Sequence, residues 1–296
     1  MRAGVIGVGK LGSIHLRIYG QTPGIRQIYI ADSNPLVLTQ HPDLESFSDW
    51  RQLLGKVDLV SIATPTVDHC RVASFFLKNK IPVLVEKPIT STLREADKLL
   101  KLAAENKTLL FVGHVERYNS AYLAAKKIIK NPLFIECHRL SPYPYRSIDI
   151  SVVLDLMIHD LDIILDLVKD DIKRLDAQGV KVLSPSADIA NVRLAFKHGC
   201  VANITSSRIS DKKERKIRVF TPDSYISLDY ANQSAEIYRK ENNGIVKDLL
   251  PITKEEPLKK EIQEFVSLVR EKSHNPEFAE KARDALALAL RIQKKI

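Results

Sequence analysis

The stretch that decides the fold is residues 3–12, which read AGVIGVGKLG. An apolar run typical of a buried strand leads into a G-x-G-x-x-G pattern formed by Gly7, Gly9 and Gly12, and residues 14–19 then have helical spacing. The first glycine permits a tight turn, the second lets the backbone approach a pyrophosphate, and the third lets helix and strand pack closely. Free N–H groups at the start of the helix favour an anion. The stretch therefore predicts a strand, turn and helix that bind a dinucleotide.

An acidic residue follows at the spacing typical of such a turn. Asp32 comes directly after the next predicted strand, residues 27–31, twenty residues after Gly12. A carboxylate at this position can accept both ribose hydroxyls of adenosine, and it repels a 2′-phosphate. Ser33 and Asn34 come next, so the residues after Asp32 supply no arginine that could offset this repulsion. The sequence predicts NAD as the cofactor, in preference to NADP.

Short apolar strands alternate with helices through the first part of the chain. Thr92, with Glu95 three residues later, forms the pattern of a capping box at the start of one helix. Alternation of this kind is typical of a parallel sheet wound on both faces, so we predict an α/β Rossmann dinucleotide-binding domain over residues 1–116. The predicted strands are 3–6, 27–31, 57–62, 82–86 and 109–113, and the predicted helices are 14–19, 68–79 and 92–106.

Residues 117–296 have a different pattern, in which strands follow one another. Three-residue turns at 197–199 and 222–224 each separate two strand-like runs, as in β-hairpins. We predict a C-terminal α+β domain with an open, mostly antiparallel sheet, which binds substrate and mediates oligomerisation. The predicted strands are 133–140, 190–196, 200–206, 217–221 and 225–230, and the predicted helices are 119–130, 152–168, 261–270 and 276–294.

Composition excludes several classes of protein. The 296 residues are 45% hydrophobic and 27% charged, which are ordinary globular values and argue against a disordered chain. No apolar run reaches the ~18 residues that span a bilayer, and residues 1–13 lack the long apolar region of a signal peptide. Cys70, Cys137 and Cys200 form no C-x-x-C pair, so neither a disulfide scaffold nor a structural zinc site is expected. We expect a soluble, cytoplasmic protein with no membrane partner.

The net charge of +9 raises the question of an acidic partner. The densest basic stretch is residues 212–218, and a second lies at 126–130. Neither interleaves aromatic residues as a base-stacking surface does, and no helix-turn-helix or finger spacing accompanies them. We expect solvated basic faces and no nucleic-acid partner, and a phosphorylated small molecule is compatible with this charge.

Three further motifs occur in a fixed order. Ala63-Thr64-Pro65 with His69 follows the third predicted strand, Glu86-Lys87-Pro88 follows the fourth, and Asp155-x-x-x-His159 lies in the long predicted helix. Together with the glycine turn, this set resembles the glucose–fructose oxidoreductase / inositol dehydrogenase (Gfo/Idh/MocA) family over nearly the whole chain. Residues 113–119 and 153–160 look more particularly like its bacterial branch that acts on UDP-N-acetylhexosamines as 3-dehydrogenases.

The resemblance implies a set of site residues. Lys87 would be the active-site lysine, and Asp155 with His159 would be the pair on the substrate side. The chain departs from the family pattern at Thr66, where many members have Asn, and at residues 146–150, where many have a glycine-rich lead. The residues implied to line the cofactor are Gly7, Gly9, Lys10, Leu11, Gly12, Asp32, Thr64, Pro65, His69 and Glu86.

The chemistry of Lys87 also follows from its position. It comes at the carboxyl end of a predicted strand, where doubly wound sheets bind ligands, and Pro88 fixes the backbone after it. An ammonium group there can donate a hydrogen bond to a substrate hydroxyl and stabilise the alkoxide that forms as hydride leaves. The alternative is a surface lysine after a strand, and the surrounding motifs favour the functional interpretation.

The predicted helix 152–168 combines acidic residues with one histidine. At about 100° per residue, Asp155 and His159 share a face and are close enough to interact. The carboxylate would orient the imidazole, which would accept an alcohol proton as a general base. Asp162 and Asp166 fall on the same face and are interpreted as a solvated acidic stripe. A metal held by Asp155, His159 and Asp162 is the alternative, but Lys87 would be a competing charge and no H-E-x-x-H is present, so we expect no metal.

Three other polar side chains have weaker assignments. Asp160 falls within the apolar face of the same helix, where an unpaired carboxylate is costly, so we predict a structural partner such as an arginine. Arg117 follows the fifth predicted strand and could clamp a phosphate or carboxylate of the substrate. Tyr118 beside it is assigned to the substrate site, and His114 is interpreted equally well as an interior histidine.

These patterns together predict an NAD-dependent dehydrogenase that oxidises a secondary alcohol of a sugar, a UDP-N-acetylhexosamine in particular. Two alternatives stay open. One is a reductase of another carbonyl or of a tetrapyrrole, and the other is a regulator that senses NAD(H) without turnover. The predicted proton acceptor argues against the sensor, because a sensor needs none. The open sheet, together with the family resemblance, predicts a homo-oligomer, a dimer or a tetramer.

Overall fold

Residues 1–114 form a parallel sheet whose strands are connected by helices. The computed structural model describes residues 1–143, 150–242 and 244–296. The first strands are β1 (Arg2–Ile6), β2 (Gln27–Ala31), β3 (Glu45–Phe47), β4 (Leu59–Ile62), β5 (Val83–Glu86) and β6 (Leu110–Gly113). The first helices are α1 (Lys10–Gln21), α2 (Pro35–Leu38), α3 (Thr66–Lys78) and α4 (Leu93–Asn106), with a 3₁₀ turn at Trp50–Leu53.

The strand order β3-β2-β1-β4-β5-β6 confirms the predicted Rossmann domain. All five strand pairs are parallel, so the carboxyl ends of the strands lie at one edge. The order reverses between β1 and β4, and such a switch point forms the crevice where these sheets bind ligands. The predicted capping box is present, since Thr92 and Glu95 at the start of α4 hydrogen-bond reciprocally.

The second half of the chain forms one large mixed sheet with helices. A 3₁₀ turn lies at Val115–Tyr118, and a π-helical turn at Val153–Met157 precedes the second of the later helices. These helices are α5 (Ser120–Lys126), α6 (Ile158–Val168), α7 (Pro257–Arg270) and α8 (Glu277–Gln293). The strands are β7 (Phe134–Leu140), β8 (Ile172–Val180), β9 (Ile189–Phe196), β10 (Val201–Ser207), β11 (Glu214–Phe220), β12 (Ser224–Asp229), β13 (Ser234–Glu241) and β14 (Gly244–Leu249).

The eight strands are ordered β14-β13-β12-β11-β7-β10-β9-β8. Among the strand pairs of this sheet that the described residues form, only the β7–β10 pair is parallel, which confirms the predicted mostly antiparallel sheet. Alternate residues of the central strands are buried in one core, among them Ile135, Cys137, Ile217 and Val219. Their neighbours on the opposite face are half-exposed. The substitutions at residues 146–149, noted in the sequence as a departure from the family, lie outside the described residues.

The chain divides into two compact units. Unit 1 is Met1–His114 with Leu258–Asp284, and unit 2 is Val115–Pro257 with Ala285–Ile296. A single boundary after residue 116 would place all of α7 in the second domain, whereas α7 packs with unit 1. The reason is aromatic packing, because Phe111 of β6 contacts the rings of Phe265 and Phe278 at centroid distances of 5.7 and 4.5 Å.

The long helix predicted over 152–168 is not a uniform α-helix. Residues Val153–Met157 form a π-helical turn, and α6 begins at Ile158. A π turn has i→i+5 hydrogen bonds and is wider than an α turn, so it shifts every residue before it relative to those after it. Among the described residues, no helix is both long enough and apolar enough to cross a membrane.

Candidate active site

The glycine turn after β1 has the geometry that the sequence predicts. Gly7 has φ +81°, and a Cβ on it would lie 2.8 Å from the backbone of Ala63. A Cβ on Gly12 would lie 1.9 Å from the Gly7 carbonyl oxygen, so only glycine fits at this crossing. A Cβ on Gly9 would meet nothing within 4 Å among the described residues. The turn therefore leaves space beside Gly9 for a close ligand.

Helix α1 presents an electropositive start beside this space. Its N-cap is Gly9, which has no side chain to cap the first N–H groups. Lys10 and Leu11, the first residues of the helix, are exposed. Uncapped N–H groups and the helix dipole favour a bound anion, so the turn fits the pyrophosphate of a dinucleotide.

Asp32 connects the end of β2 to the glycine turn. Its Oδ2 accepts a hydrogen bond from the Val8 backbone N–H at 2.8 Å, and its Oδ1 accepts one from the Asn34 N–H at 2.8 Å. The carboxylate is partly exposed at a cleft of about 370 Å³. It retains lone pairs that can accept further hydrogen bonds, so its predicted contact with a ribose is sterically open.

The same cleft contains residues that the sequence analysis did not identify. Arg51 lies over the ring of Trp50, with its Cζ 4.4 Å from the ring centroid. Each arginine of the cleft is paired, Arg51 with Asp49 at 3.1 Å and Arg71 with Asp68 at 2.7 Å. No periodic signal marks these residues, because they come from a 3₁₀ turn and from the outer face of α3. The newly identified residues are Ser48, Asp49, Trp50, Arg51, Asp68 and Arg71.

His69 connects two loops of unit 1 through hydrogen bonds of its imidazole ring. Its Nδ1 lies 3.0 Å from the Pro88 carbonyl oxygen, and its Nε2 lies 2.9 Å from that of Thr64. Burial lowers the pKa of the His69 imidazole below its usual value, and the two carbonyl groups oppose part of that shift. The side chain is almost fully buried. His69 therefore positions the Thr64-Pro65 segment and the segment after Lys87 by holding their backbones.

Glu86 ends β5 and Lys87 follows it, and the neighbours of Glu86 restrain its carboxylate. Glu86 Oε1 pairs with Nε2 of the buried His15 at 2.9 Å. A Cβ on Gly113 of the neighbouring strand would lie 3.0 Å from Glu86, so glycine makes room for it. The Lys87–Pro88 peptide is cis, and Lys87 is partly exposed. This places Lys87 at the carboxyl edge of the sheet, as predicted.

Asp155 and His159 lie in unit 2, on either side of the junction between the π turn and α6. Both side chains are half-buried, whereas Met157 and Ile158 between them are buried. The predicted face assumed a uniform α-helix, and the π turn changes the angle between these two residues. They remain about one helical turn apart, which is the separation needed for a carboxylate to orient an imidazole.

The predicted structural partner of Asp160 is confirmed, and it is an arginine. Arg139 of β7 donates to both carboxylate oxygens of Asp160 at 2.9 Å and to Glu116 Oε1 at 2.9 Å. Burial acts to lower the pKa of the Arg139 guanidinium, but the charges of Asp160 and Glu116 raise it above its usual value. All three side chains are buried. We call Glu116, Arg139 and Asp160 the buried ion triad.

The interpretation of Asp162 and Asp166 as a solvated stripe is wrong. Both are buried, and Arg117 donates to Asp162 at 2.7 Å through two nitrogens and contacts Asp166 at 3.1 Å. Lys126 and the Tyr122 hydroxyl also hydrogen-bond Asp166. Burial acts to raise the pKa of Asp166, but these donors hold it well below its usual value. The partners come from distant elements, so helical periodicity could not reveal them.

This pairing bears on the predicted substrate role of Arg117. Burial acts to lower the pKa of the guanidinium, but the charges of Asp162 and Asp166 raise it above its usual value. The guanidinium of Arg117 is thus already hydrogen-bonded within unit 2. To bind a substrate phosphate or carboxylate, it would have to break its hydrogen bonds with Asp162. Tyr118 ends the 3₁₀ turn and is half-buried, and His114 is buried. Within the described ranges, no group of three His, Cys, Asp or Glu side chains could hold a metal.

Comparison with known proteins places the whole chain. The profile described as "Oxidoreductase family, NAD-binding Rossmann fold" matches residues 1–114, and the "GFO/IDH/MocA C-terminal domain" profile matches residues 125–226. The chain belongs to the Gfo/Idh/MocA family. It is therefore an oxidoreductase with an NAD-binding Rossmann domain, which confirms the predicted fold, enzyme class and cofactor.

The names of individual relatives of this Gfo/Idh/MocA protein describe dehydrogenases of sugars and cyclitols. The UDP-N-acetylglucosamine 3-dehydrogenase of Acidithiobacillus ferrooxidans is 32% identical, over 99% of this chain and 96% of that protein. A solved structure of that enzyme, GnnA, superposes with a TM-score of 0.91 at 33% identity, covering 100% of this chain and 97% of the other. The myo-inositol 2-dehydrogenase of Thermotoga maritima is 24% identical over 81% of this chain and 79% of its own.

A more distant solved structure supports the fold alone. The scyllo-inositol dehydrogenase of Lactobacillus casei, described with bound NAD(H) and scyllo-inositol, has a TM-score of 0.85 at 18% identity. The superposition covers 100% of this chain and 96% of that one. The two-unit architecture is thus shared well beyond the range of clear sequence identity.

Proposed function

We propose that this enzyme oxidises a secondary alcohol of a nucleotide-linked sugar, the 3-hydroxyl of a UDP-N-acetylhexosamine, with NAD. The observation that carries the proposal is the placement of Asp155 and His159, half-exposed one turn apart at a π–α junction. The likeness to the UDP-N-acetylglucosamine enzyme supports the substrate class, because it extends over both units. Inositol dehydrogenases match a smaller share of the chain.

In this proposal three side chains supply the chemistry. His159 accepts the hydroxyl proton, and Asp155 holds the imidazole in position while it does so. The Lys87 ammonium donates a hydrogen bond to the same oxygen and stabilises the negative charge that develops on it. NAD, when bound, supplies the acceptor for the hydride of the carbinol carbon. The products are a ketone, NADH and the proton held by His159.

Residues of unit 1 would hold the dinucleotide. The open space beside Gly9 and the uncapped start of α1 suit its pyrophosphate. Thr64 and Pro65 border the cleft at the end of β4, and Asp32 at its rim would accept the ribose hydroxyls. Asp32 would favour NAD over NADP by repelling a 2′-phosphate, and Arg51 and Arg71 in the same cleft each pair with a carboxylate.

A substrate panel tests the function. Purified enzyme is mixed with NAD or NADP and with UDP-N-acetylglucosamine, UDP-N-acetylgalactosamine, UDP-glucose, free N-acetylglucosamine or myo-inositol, and formation of the reduced cofactor is followed by absorbance. We expect turnover with a UDP-N-acetylhexosamine and NAD. Turnover on inositol alone would contradict the substrate class. Absence of any turnover, with NADH binding intact, would favour a sensor or a reductase of another carbonyl.

We propose further that the enzyme is a homo-oligomer that associates through the open face of the eight-stranded sheet. An aromatic row crosses four strands there, with centroid distances of 5.6, 4.7 and 5.1 Å along Phe134, Phe220, Tyr225 and Tyr238. Partly exposed aromatic residues are favoured at protein interfaces.

Light scattering after size exclusion tests this assembly. We expect a dimer or tetramer for the wild type and monomers for Phe220→Asp with Tyr225→Asp, since two charges in the row would have to be buried without partners. Val182→Asp, which changes an exposed apolar residue outside the row, is the control and should leave the mass unchanged. A monomeric wild type would refute the proposal.

The enzyme is also proposed to work in the cytoplasm. Its three cysteines are free thiols, as is usual for proteins of a reducing compartment. Cell fractionation with an antibody tests this location, and recovery in the secreted fraction would contradict it.

A further inference from the structure

We propose that Arg215 binds the diphosphate of the nucleotide-linked substrate. The proposal deepens the function given above and rests on it for the identity of the anion. It assigns a ligand to the basic stretch 212–218, for which the sequence analysis expected a solvated face and named no ligand-binding residue.

Arg215 lies on the covered face of the sheet. Along β11, Ile217 and Val219 alternate into the core, and Arg215 has the same parity at the start of the strand. Its side chain is 40% exposed, so it stands where the core meets the surface. An arginine of this kind can bury its stem and keep its guanidinium accessible to a ligand.

Arg215 is directly opposite the arginine of the buried ion triad. The β7–β11 register pairs Arg215 with Arg139, whose side chain is 3% exposed. Arg139 donates hydrogen bonds to both carboxylate oxygens of Asp160 and to Glu116 Oε1, at 2.9 Å in each case. The same Glu116 oxygen lies 4.0 Å from the Arg215 guanidinium, which is beyond hydrogen-bond distance. The triad therefore leaves Arg215 with a distant and already shared carboxylate.

The guanidinium of Arg215 is less engaged than those of the other enclosed arginines in unit 2. Arg117, Arg139 and Arg208 each donate to a carboxylate at 3.0 Å or less. Among the described residues, the Arg215 fork has only the 4.0 Å contact with Glu116. A guanidinium has five N–H donors in a planar fork that matches the oxygens of a phosphate. The fork of Arg215 is available for an external oxyanion.

The electrostatic surroundings also suit an incoming anion. Burial, followed by the charge of Arg139, lowers the pKa of the Arg215 guanidinium, while Glu116, Asp160 and Asp155 oppose that shift. An anion bound at Arg215 would offset the repulsion between the two opposed arginines. Lys212 and Lys213, exposed just before β11, add positive charge along the chain that leads to this position.

The buried ion triad connects Arg215 to the proposed chemistry, because Arg139 is opposite Arg215 in the sheet and donates to Asp160, the residue directly after His159. Asp155 is one of the charges that stabilise the protonated Arg215. In a UDP-N-acetylhexosamine the diphosphate is attached at the anomeric carbon, two ring carbons from the 3-hydroxyl. A cation close to the residue that positions His159 would therefore meet the diphosphate of the same sugar. A free sugar or an inositol has no group for this site.

The test compares Arg215→Ala with Arg174→Ala, which removes an arginine that is 74% exposed on the edge strand β8 of the same sheet. Calorimetry with UDP as the probe, on the NADH-loaded enzyme, measures affinity, and steady-state kinetics measure KM and kcat for UDP-N-acetylglucosamine. We expect Arg215→Ala to weaken UDP binding and raise KM by about 10- to 100-fold, the effect of losing a charge-assisted contact. kcat at saturation should stay within about threefold, and Arg174→Ala should match the wild type.

The possible outcomes separate this proposal from the function itself. Turnover of the UDP-sugar with unchanged KM and UDP affinity in Arg215→Ala overturns the diphosphate site and leaves the function standing. The wild type could bind UDP but oxidise no UDP-sugar, and Arg215→Ala could abolish that binding. This result would support the diphosphate site and refute the proposed substrate. Failure of the wild type to bind UDP overturns the proposal. If the melting temperature of Arg215→Ala is lower than that of Arg174→Ala, UDP binding is measured with Arg215→Gln instead. Wild-type UDP affinity in Arg215→Gln would contradict the proposed diphosphate site.

Discussion

Lys87→Met and His159→Asn are each expected to lower kcat for the UDP-sugar by about 10²- to 10⁴-fold, the range contributed by a positioned proton-transfer or charge-stabilising group. Lys87→Met removes the cation that stabilises the alkoxide, and His159→Asn removes the proton acceptor. Asp155→Asn should have a smaller effect, because it changes only the orientation of the imidazole. Stopped-flow formation of NADH measures each rate directly.

Matched controls make this prediction specific. Lys98→Met changes an exposed lysine on α4, and His198→Asn changes the exposed histidine of the β9–β10 hairpin. Both should retain wild-type turnover. All variants should bind NADH, as measured by fluorescence, since neither Lys87 nor His159 is part of the glycine turn. Wild-type kcat in Lys87→Met combined with His159→Asn would refute the proposed mechanism.

Arg139→Met is expected to destabilise unit 2 by about 3–5 kcal/mol, the cost of removing one partner of a buried ion pair. The substitution leaves the carboxylates of Asp160 and Glu116 buried, and within the described part of the chain the cation still in contact with them is Arg215, at 4.0 Å from Glu116. Burial of unpaired charge accounts for most of this loss. Urea unfolding followed by far-ultraviolet circular dichroism measures it.

The control for Arg139→Met is Arg239→Met, which breaks an exposed pair with Asp248 on β13 and β14. An exposed pair contributes about 0–1 kcal/mol, so this variant should unfold close to the wild type. The single tryptophan, Trp50, lies in unit 1, and its fluorescence gives an internal reference. Equal stability of the two variants would show that the triad contributes no more than a surface pair.

The nucleotide-binding half could be predicted from the sequence because its signals are local. The glycine turn, the acid after β2 and the capping box of α4 each depend on residues a few positions apart. Strand β3 is not among the predicted strands, since Glu45–Phe47 has no apolar run and forms by pairing with β2. The sequence does not predict strands β8, β13 and β14 either, because charged and half-exposed residues interrupt their alternation.

The site in unit 2 was predicted less completely because its contacts are distant in the chain. Sequence alone indicated that Asp160 needs a partner, but Arg139 lies 21 residues away on another element. Nothing in the sequence around Asp162 distinguishes it from a solvated aspartate. Its burial depends on an ion pair with Arg117, which lies 45 residues earlier in the chain. The π turn has no local signature, so the phase of Asp155 could not be derived from a regular helical period.

The return of Leu258–Asp284 to unit 1 has a consequence for how the chain is made. Phe265 and Phe278 cover Phe111 at the edge strand β6, so the nucleotide-binding core lacks part of its apolar cover until they exist. On the ribosome, all eight strands of the second sheet emerge before α7 does. Domains generally fold in order from the N-terminus as they are synthesised. Here the unit that begins first stays incomplete until residue 284, and the second sheet is synthesised while the first core still has an exposed aromatic surface.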